Sequence, residues 1–472
     1  MLKHLIAFLL FFSPLPAFSQ EAEVPITARS DLHIAIYNHN LALVKDKRKV
    51  SLKQGDNKIA FSGVSALIRP ETALVRGQGF SVLEQNFNFD LLDYNSLLNK
   101  SIGAKVKLID VNPGNGDTVV EYGEVLSNAH GSVVLKVGDR IETNYPGRIV
   151  FLDIPKTLRS KPTLVIDVVS TATAAQDIDL SYLTGGFSWK ADYTAELDNA
   201  EKELKVSGLV TLTNTSGVDY KGALMQLVAG NVNQVSSGFA VMKAAPMMAM
   251  REMAMDNAAY AGGVVQEAFM DFHLYTVPRR VDIEDNQTKQ ISFISGLAQV
   301  SKEYIYDSPF NIYSGGIDNS FEKRNPDVKL KFKNDETQGL GAPLPAGIFR
   351  VYKSDSQGRT LFAGEDNIRH TPKGEEVKIK LGQAFDVTTS GKRKSFTQLG
   401  NKSYEASFEL TVKNAKAEDI VVDVYQDFPN NYRILSESVE HEEKSSNRLL
   451  WQVPVPREGE AVFNFSVRVT NN

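Results

Sequence analysis

The chain has 472 residues, 42% apolar and 23% charged, with 52 Lys and Arg against 57 Asp and Glu for a formal charge of −5. That length sets a prior of about three domains, and the near balance of charge excludes a strongly basic nucleic-acid binder and a supercharged acidic tail alike. Cysteine is absent, which excludes a disulfide framework, a thiolate metal site, an iron–sulfur cluster and a cysteine nucleophile.

In chain order, the first signal is Met1-Leu2-Lys3-His4, a short basic start, followed by an unbroken apolar run from Leu5 to Phe12. Ser13-Pro14-Leu15-Pro16 ends any helix, and Ala17-Phe18-Ser19 places small residues where signal peptidase reads them. The pattern predicts a signal peptide over 1–19 with cleavage before Gln20. Eight apolar residues would span only ~12 Å at 1.5 Å each, too short for a bilayer. The expected product is exported, periplasmic or secreted, and has no transmembrane segment in its mature part.

Alternation dominates the remainder of the chain. Val328, Leu330 and Phe332 share one strand face with lysines on the other; Val377, Ile379 and Leu381 repeat the scheme, and so do Phe463, Phe465, Val467 and Val469. Period two with one wet face is the mark of antiparallel sheets packed on one side. The predicted class is therefore mainly β: several antiparallel, immunoglobulin-like β-sandwich modules with a small β-barrel or meander unit. An N-terminal β domain is expected over 20–98, with strands around His33–Tyr37, Lys58–Phe61 and Thr72–Val75. The small barrel or meander covers 99–155, where Asn112-Pro-Gly-Asn-Gly-Asp117 reads as a turn. A β-sandwich is expected over 156–234, then a Met/Ala-rich flexible insertion over 235–270, then one or more C-terminal β-sandwich domains over 271–472. One short helix is expected at Asn95–Lys100, stopped by Gly103.

An internal echo joins two of these regions. Val210-Thr-Leu-Thr-Asn214, with Asp219 five residues on, matches Leu410-Thr-Val-Lys-Asn414, with Asp419 five residues on. An Asn at a strand end can hydrogen-bond nearby backbone and start the turn that returns the next strand. Two related sandwich modules are the reading, against chance similarity of turns.

Several blocks resemble a known family. Leu180-Ser-Tyr-Leu-Thr-Gly-Gly-Phe-Ser-Trp-Lys-Ala-Asp-Tyr193, the hairpin at 212–217, Tyr275-Thr-Val-Pro-Arg-Arg-Val-Asp-Ile283 running on to Gln290, Pro343-Leu-Pro-Ala-Gly-Ile-Phe-Arg-Val-Tyr352 and Leu449-Leu-Trp451 are similar to the domain-of-unknown-function 4139 family. The resemblance spans roughly Asp31 to Thr470 and implies an exported bacterial β-rich protein of undefined activity. The C-terminal half is similar to mucoidy-inhibitor-like members, whose long coiled coil this sequence lacks. The family supplies no catalytic residues to carry over.

The chemistry-bearing residues form no strong motif. His33, His39, His130, His273, His370 and His441 make no HxH or HExxH pattern. Asp110 to Glu121 begins like a calcium loop, but Gly114 and Asn115 stand at the fifth and sixth positions, where a ligand and Gly are required. Gly186-Phe-Ser188 lacks the second glycine of a nucleophile elbow, and Ser320-Phe-Glu-Lys323 lacks its companion motifs. Gly77-Gln-Gly79 leads into a strand-like run instead of a phosphate-binding helix. The acid pairs Asp282/Asp285 and Glu365/Asp366 are candidate glycosidase carboxylates, with solvated turns as the competing reading. Tyr304, Tyr306, Phe310 and Tyr313 are a candidate aromatic platform for sugar rings or a buried sheet face. Met247, Met250 and Met253, in a segment Met242–Gly263 that holds six of the nine methionines, would align on a helix as soft Cu(I) ligands. No residue is assigned a catalytic, cofactor-binding or metal role, and no cofactor is expected. The function expected is non-catalytic binding or scaffolding at the cell envelope, with an envelope protein or glycan as partner. The alternatives are a carbohydrate-active hydrolase using a carboxylate pair and Cu(I) binding through the Met-rich segment.

Overall fold

The structure, a computed structural model, describes residues 21–470 apart from 113, 130, 131, 144, 156, 231, 235–264, 271, 313–319 and 339. The signal-peptide segment, the Met242–Gly263 segment, His130 and Tyr313 lie outside the described residues. The described residues are mainly strand, with one α-helix among them. No helix of the described residues is long and apolar enough to cross a membrane. The helix, Tyr94–Lys100, starts one residue before the expected boundary because Asp93 caps it, its carboxylate accepting from the Asn95 and Ser96 amides.

The chain divides into two compact units. One comprises 1–188, 213–228 and 279–288; the other comprises 189–212, 229–278 and 289–472.

In the first unit, Tyr220–Ala229, Arg29–Tyr37, Leu41–Leu52, Ala174–Thr184 and Leu74–Arg76 lie side by side in that order across a sheet. A second sheet runs Ala22–Val24, Gly55–Ser62, Thr163–Ser170, Phe80–Asn88. Strands from 20–98 thus interleave with strands from 156–234. A third sheet holds Arg140–Thr143, Ser132–Val137, Thr118–Ala129, Lys105–Val111 and Arg148–Phe151 over a small core of Val106, Leu108, Val125, Leu135 and Val137. Of the two forms expected here, the meander is the one that forms: the sheet is open, with Arg140–Thr143 and Arg148–Phe151 as its edges.

Leu41–Leu52 is invisible to hydropathy because its middle reads Lys45-Asp46-Lys47-Arg48-Lys49. Period two nevertheless turns Asp46 and Arg48 inward beside Val44 and Val50, and both are fully buried. Asp46 accepts from Arg29 (Nε 3.0 Å, Nη2 2.8 Å) and from Arg48 (Nη2 2.7 Å). Arg48 also donates to the carbonyls of Val24 and Ser62 and lies over the Phe61 ring. Burial pushes the Asp46 carboxyl up, but its bonds to the two guanidiniums outweigh that and hold it below the ordinary value.

In the second unit, the face of Tyr304, Tyr306, Val422, Val424, Trp451 and Val453 meets the face of Val412, Phe408, Phe463, Phe465 and Val467 in one core. The first set belongs to a ten-stranded sheet and the second to a five-stranded one, so the expected sandwich forms. Trp451 stacks on Phe465 with ring centroids 5.1 Å apart. The expected alternation is met by Leu330, Phe332, Val377, Ile379, Phe463, Phe465, Val467 and Val469, which are buried, while Val328 and Leu381 are only half-buried. The sheets are not purely antiparallel, however. Phe187–Leu197 pairs in parallel with Gly347–Ser354, and Gln287–Asp307 with Ile420–Asp427; in the first unit Tyr220–Ala229 pairs in parallel with Arg29–Tyr37. Parallel neighbours come from long crossover connections, which local alternation does not encode.

The internal echo is a repeated corner. Asn214 donates Nδ2 to the carbonyls of Val218 (2.9 Å) and Glu284 (3.0 Å) and accepts the Ser216 amide. Asn414 donates to Glu418 (2.9 Å) and Pro456 (3.1 Å) and accepts the Lys416 amide. Asp219 and Asp419 complete the match by accepting the amides of Asp285 and Arg457. In both copies the second residue after the clamped carbonyl, Asn286 or Glu458, has a positive φ. A third copy is not legible in the sequence. Asn334 donates to Ala342 (2.9 Å) and Pro372 (3.1 Å) and accepts the Gly341 amide, with Gly374 taking the positive φ. Its connection is longer, which breaks the five-residue spacing that reveals the other two. All three asparagines are buried.

Candidate functional site

A cleft in the second unit lies beside the turn that joins Phe187–Leu197 to Glu203–Asn214. Asp198 builds that turn. Its carboxylate accepts the amides of Lys202 (2.7 Å), Glu203 (2.8 Å) and Ala200 (3.2 Å). The Glu203 amide foremost holds its carboxyl below the ordinary value. The turn carries Glu201 at a φ of 55°, the left-handed region that non-glycine residues enter at a cost.

Glu201 projects one carboxylate onto two lysines. Lys353 Nζ is 2.5 Å from Oε1, and Lys302 Nζ bonds Oε2. Lys302 also lies over the Tyr304 ring, 5.8 Å from its centroid, and 3.7 Å from Glu418, which Lys416 approaches at the same distance. Burial would raise the Glu201 carboxyl, yet the two lysines bring it below its usual value; burial would lower Lys302, yet Glu201 brings it above. Below these charges is a cavity of about 260 Å³ with an apolar floor including Leu197, Leu330 and Leu381. An adjoining hollow of about 440 Å³ shares Leu197 and Lys353.

Phe385 lines the mouth of the cleft and is 92% exposed. Its backbone is fixed on both sides. The Ala384 amide donates to Pro326, and Asn325 Nδ2 donates to the carbonyls of Ala384 (2.6 Å) and Val387 (2.9 Å). Ala384 and Val387 are themselves buried.

Glu201, Lys302 and Lys353 are partly exposed, so their ion pairs are screened. Glu201→Gln is expected to shift stability by less than about 1 kcal/mol in urea unfolding. A larger loss would make the cluster a structural lock.

Of the candidate site residues singled out from sequence, Tyr304 lines the cleft, under Lys302; the others that are described fall elsewhere. Asp282 accepts the Gly222 amide (2.7 Å) and Asp285 the Gly217 amide (2.8 Å). Asp366 accepts the Lys380 amide (2.8 Å), and Glu365 pairs with Arg350 at 3.1 Å. In the Asp110–Glu121 stretch, Asn112 and Asn115 close a tight hairpin, while Glu121 lies on the following strand, paired with Arg140. Tyr304, Tyr306 and Phe310 do not form an open platform. They are buried in the sandwich core, because Tyr304 and Tyr306 share the inner face of a central strand.

His33 bonds Asp31 (2.8 Å), which also holds Arg280 (2.7 Å); burial opposes, but these two partners bring the Asp31 carboxyl down to about 2. His39 is exposed in the turn at 38–40. His441 and the Trp451 indole N–H both bond Glu437. His370 is lowered by burial and by the nearby His273, a proximity that a separation of 97 positions in the chain conceals. No group of three or more His, Asp or Glu among the described residues is placed to hold a metal ion. One carboxylate pair gave no sign in the sequence: Asp423 is raised by burial and by Glu303, while Gln452 and Lys331 oppose the rise. Its two members come from strands far apart in the chain, so spacing carries no signal.

The model of the domain of unknown function DUF4139 matches residues 178–472. The chain belongs to this family. The DUF4139 region contains the blocks that carry the resemblance, all three asparagine corners and the whole cleft; 31–177, which the resemblance was expected to include, lie outside the match. No curated protein matches the sequence.

Proposed function

We propose that this DUF4139 protein is an exported, non-catalytic binding module of the cell envelope, with the cleft beneath Glu201 as its binding site. The observation that carries the reading is Phe385, an aromatic anchor on fixed backbone at the mouth of an apolar-floored, lysine-rimmed cleft. The basic–apolar–small start of the sequence supports export to the envelope. The acids first suspected of catalysis accept backbone amides or pair with Arg350, which supports structural roles for them.

Export predicts that N-terminal sequencing of envelope-fraction protein begins at or near Gln20; an intact Met1 start would sink that part. Binding predicts that a photo-crosslinking phenylalanine analogue at position 385 captures a discrete adduct in cells, and that the same analogue at exposed Val119 does not. Equal capture at both positions, or none at 385, counts against the cleft. The competing hydrolase reading rests on Asp423 beside Glu303. It requires Asp423→Asn to abolish the cellular role while the Phe385 adduct survives.

A further inference from the structure

We propose that the cleft takes a carboxylate borne on an apolar stem, the ligand's carboxylate displacing that of Glu201 from Lys302 and Lys353; this rests on the binding reading above. Two ammonium groups meet the two oxygens of one carboxylate, so the lysines stand at the span of a single carboxylate and Glu201 already fills the place of a ligand. The occupant is a side chain on the tip of a turn, partly exposed, on a backbone held at positive φ by the bonds to Asp198. Moving it aside requires side-chain rotation only, since Asp198 and not Glu201 secures the turn. The exchange leaves neither lysine unpaired, which avoids the penalty of a desolvated lone charge.

The surroundings define the rest of the ligand. Leu197, Leu330 and Leu381 line a cavity of about 260 Å³ directly below the clamp. Its size suits an aliphatic or aromatic side chain. Phe385 would cover the stem at the mouth. Lys416 also lines the cavity but is paired with Glu418 at 3.7 Å, and Asp386 lines it as well, so the attraction for an anion comes from Lys302 and Lys353. A carboxylate joined to an apolar group is the end of a peptide whose last residue is apolar, and it is also a free aliphatic acid. Both offer the same chemistry.

Isothermal titration of the full chain with acetyl-alanyl-leucine, its C-terminal amide and octanoate separates these cases. Saturable binding of the free acids, weakened by salt, with at least a tenfold loss for the amide, is the expected result. Glu201→Gln removes the internal competitor and should tighten binding roughly two- to fivefold. Lys302→Met with Lys353→Met should weaken it at least tenfold. Tighter binding of the peptide acid assigns the source to a peptide terminus, and tighter binding of octanoate assigns it to a free acid; either supports the clamp. Equal binding of acid and amide, or no binding of any acid to Glu201→Gln, overturns it without relying on a lysine variant that folds. A Phe385 adduct without carboxylate binding refutes this inference alone. Loss of both refutes the binding reading with it.

Discussion

Replacing Asp46 with Asn is expected to cost about 3–5 kcal/mol of the first unit's stability, because it strips the counter-charge from buried guanidiniums. Asp46 and Arg48 are wholly buried, and Arg29 closes the other side of the carboxylate. The amide keeps the shape but not the charge, so Arg48 is left ionised among Val24, Ser62 and Phe61. Against a usual total of about 5–15 kcal/mol, that loss is severe. Hydrogen exchange of the Leu41–Leu52 amides reports the effect locally; unchanged protection would refute it. The triad also gives stability a pH dependence. The folded Asp46 pKa lies below the ordinary carboxylate value, so its contribution is fully present above about pH 4 and is lost as pH falls through the folded pKa. Asp46→Asn should flatten the acid limb of the stability curve.

Replacing Asn414 with Ala is expected to cost about 2–4 kcal/mol, since it leaves the carbonyls of Glu418 and Pro456 and the Lys416 amide without their partner in a buried corner. Asn214→Ala and Asn334→Ala should behave alike, because the same carbonyl clamp recurs. Asn414→Asp should be worse than Ala. A carboxylate oxygen would replace the Nδ2 donor and face two carbonyl oxygens. Trp451 fluorescence in urea unfolding tracks the Asn414 series, as the Trp451 ring lies in the core built on Ser403–Asn414 and its neighbours. A loss below about 0.5 kcal/mol, the scale of an ordinary surface change, would show that the clamp is not a structural unit.

Hydropathy and turn chemistry together read the locally encoded elements well. The strands at 327–333, 376–383 and 459–470 announce themselves because each has one apolar and one wet face. The Asn-Gly hairpin at 112–117 and the helix near Asn95 rest on residues adjacent in the chain. The Asn214 and Asn414 corners are legible for the same reason, as their spacing to Asp219 and Asp419 is local. Asn334 does the same work across a longer connection and gives no sign.

The candidate site lies almost wholly beyond the sequence. Glu201, Lys302, Lys353 and Phe385 are each unremarkable in their own windows, a turn acid, two strand lysines and an apolar residue just after a strand. They meet because parallel and antiparallel pairings bring the 187–197, 287–307, 347–354 and 376–383 strands to one place. Asp46 and Arg48 show the converse: a run of five charged residues reads as solvated, yet the pleat turns two of them into the core, where Arg29 and two carbonyls satisfy them. By itself the sequence determined the β class, the wet and dry faces of its clearest strands and the absence of thiol chemistry. These come from side-chain hydropathy at period two and from composition. The tertiary structure alone decided which strands are neighbours, which charges are buried and which residues line the cleft, because these depend on long-range pairing that local pattern does not contain.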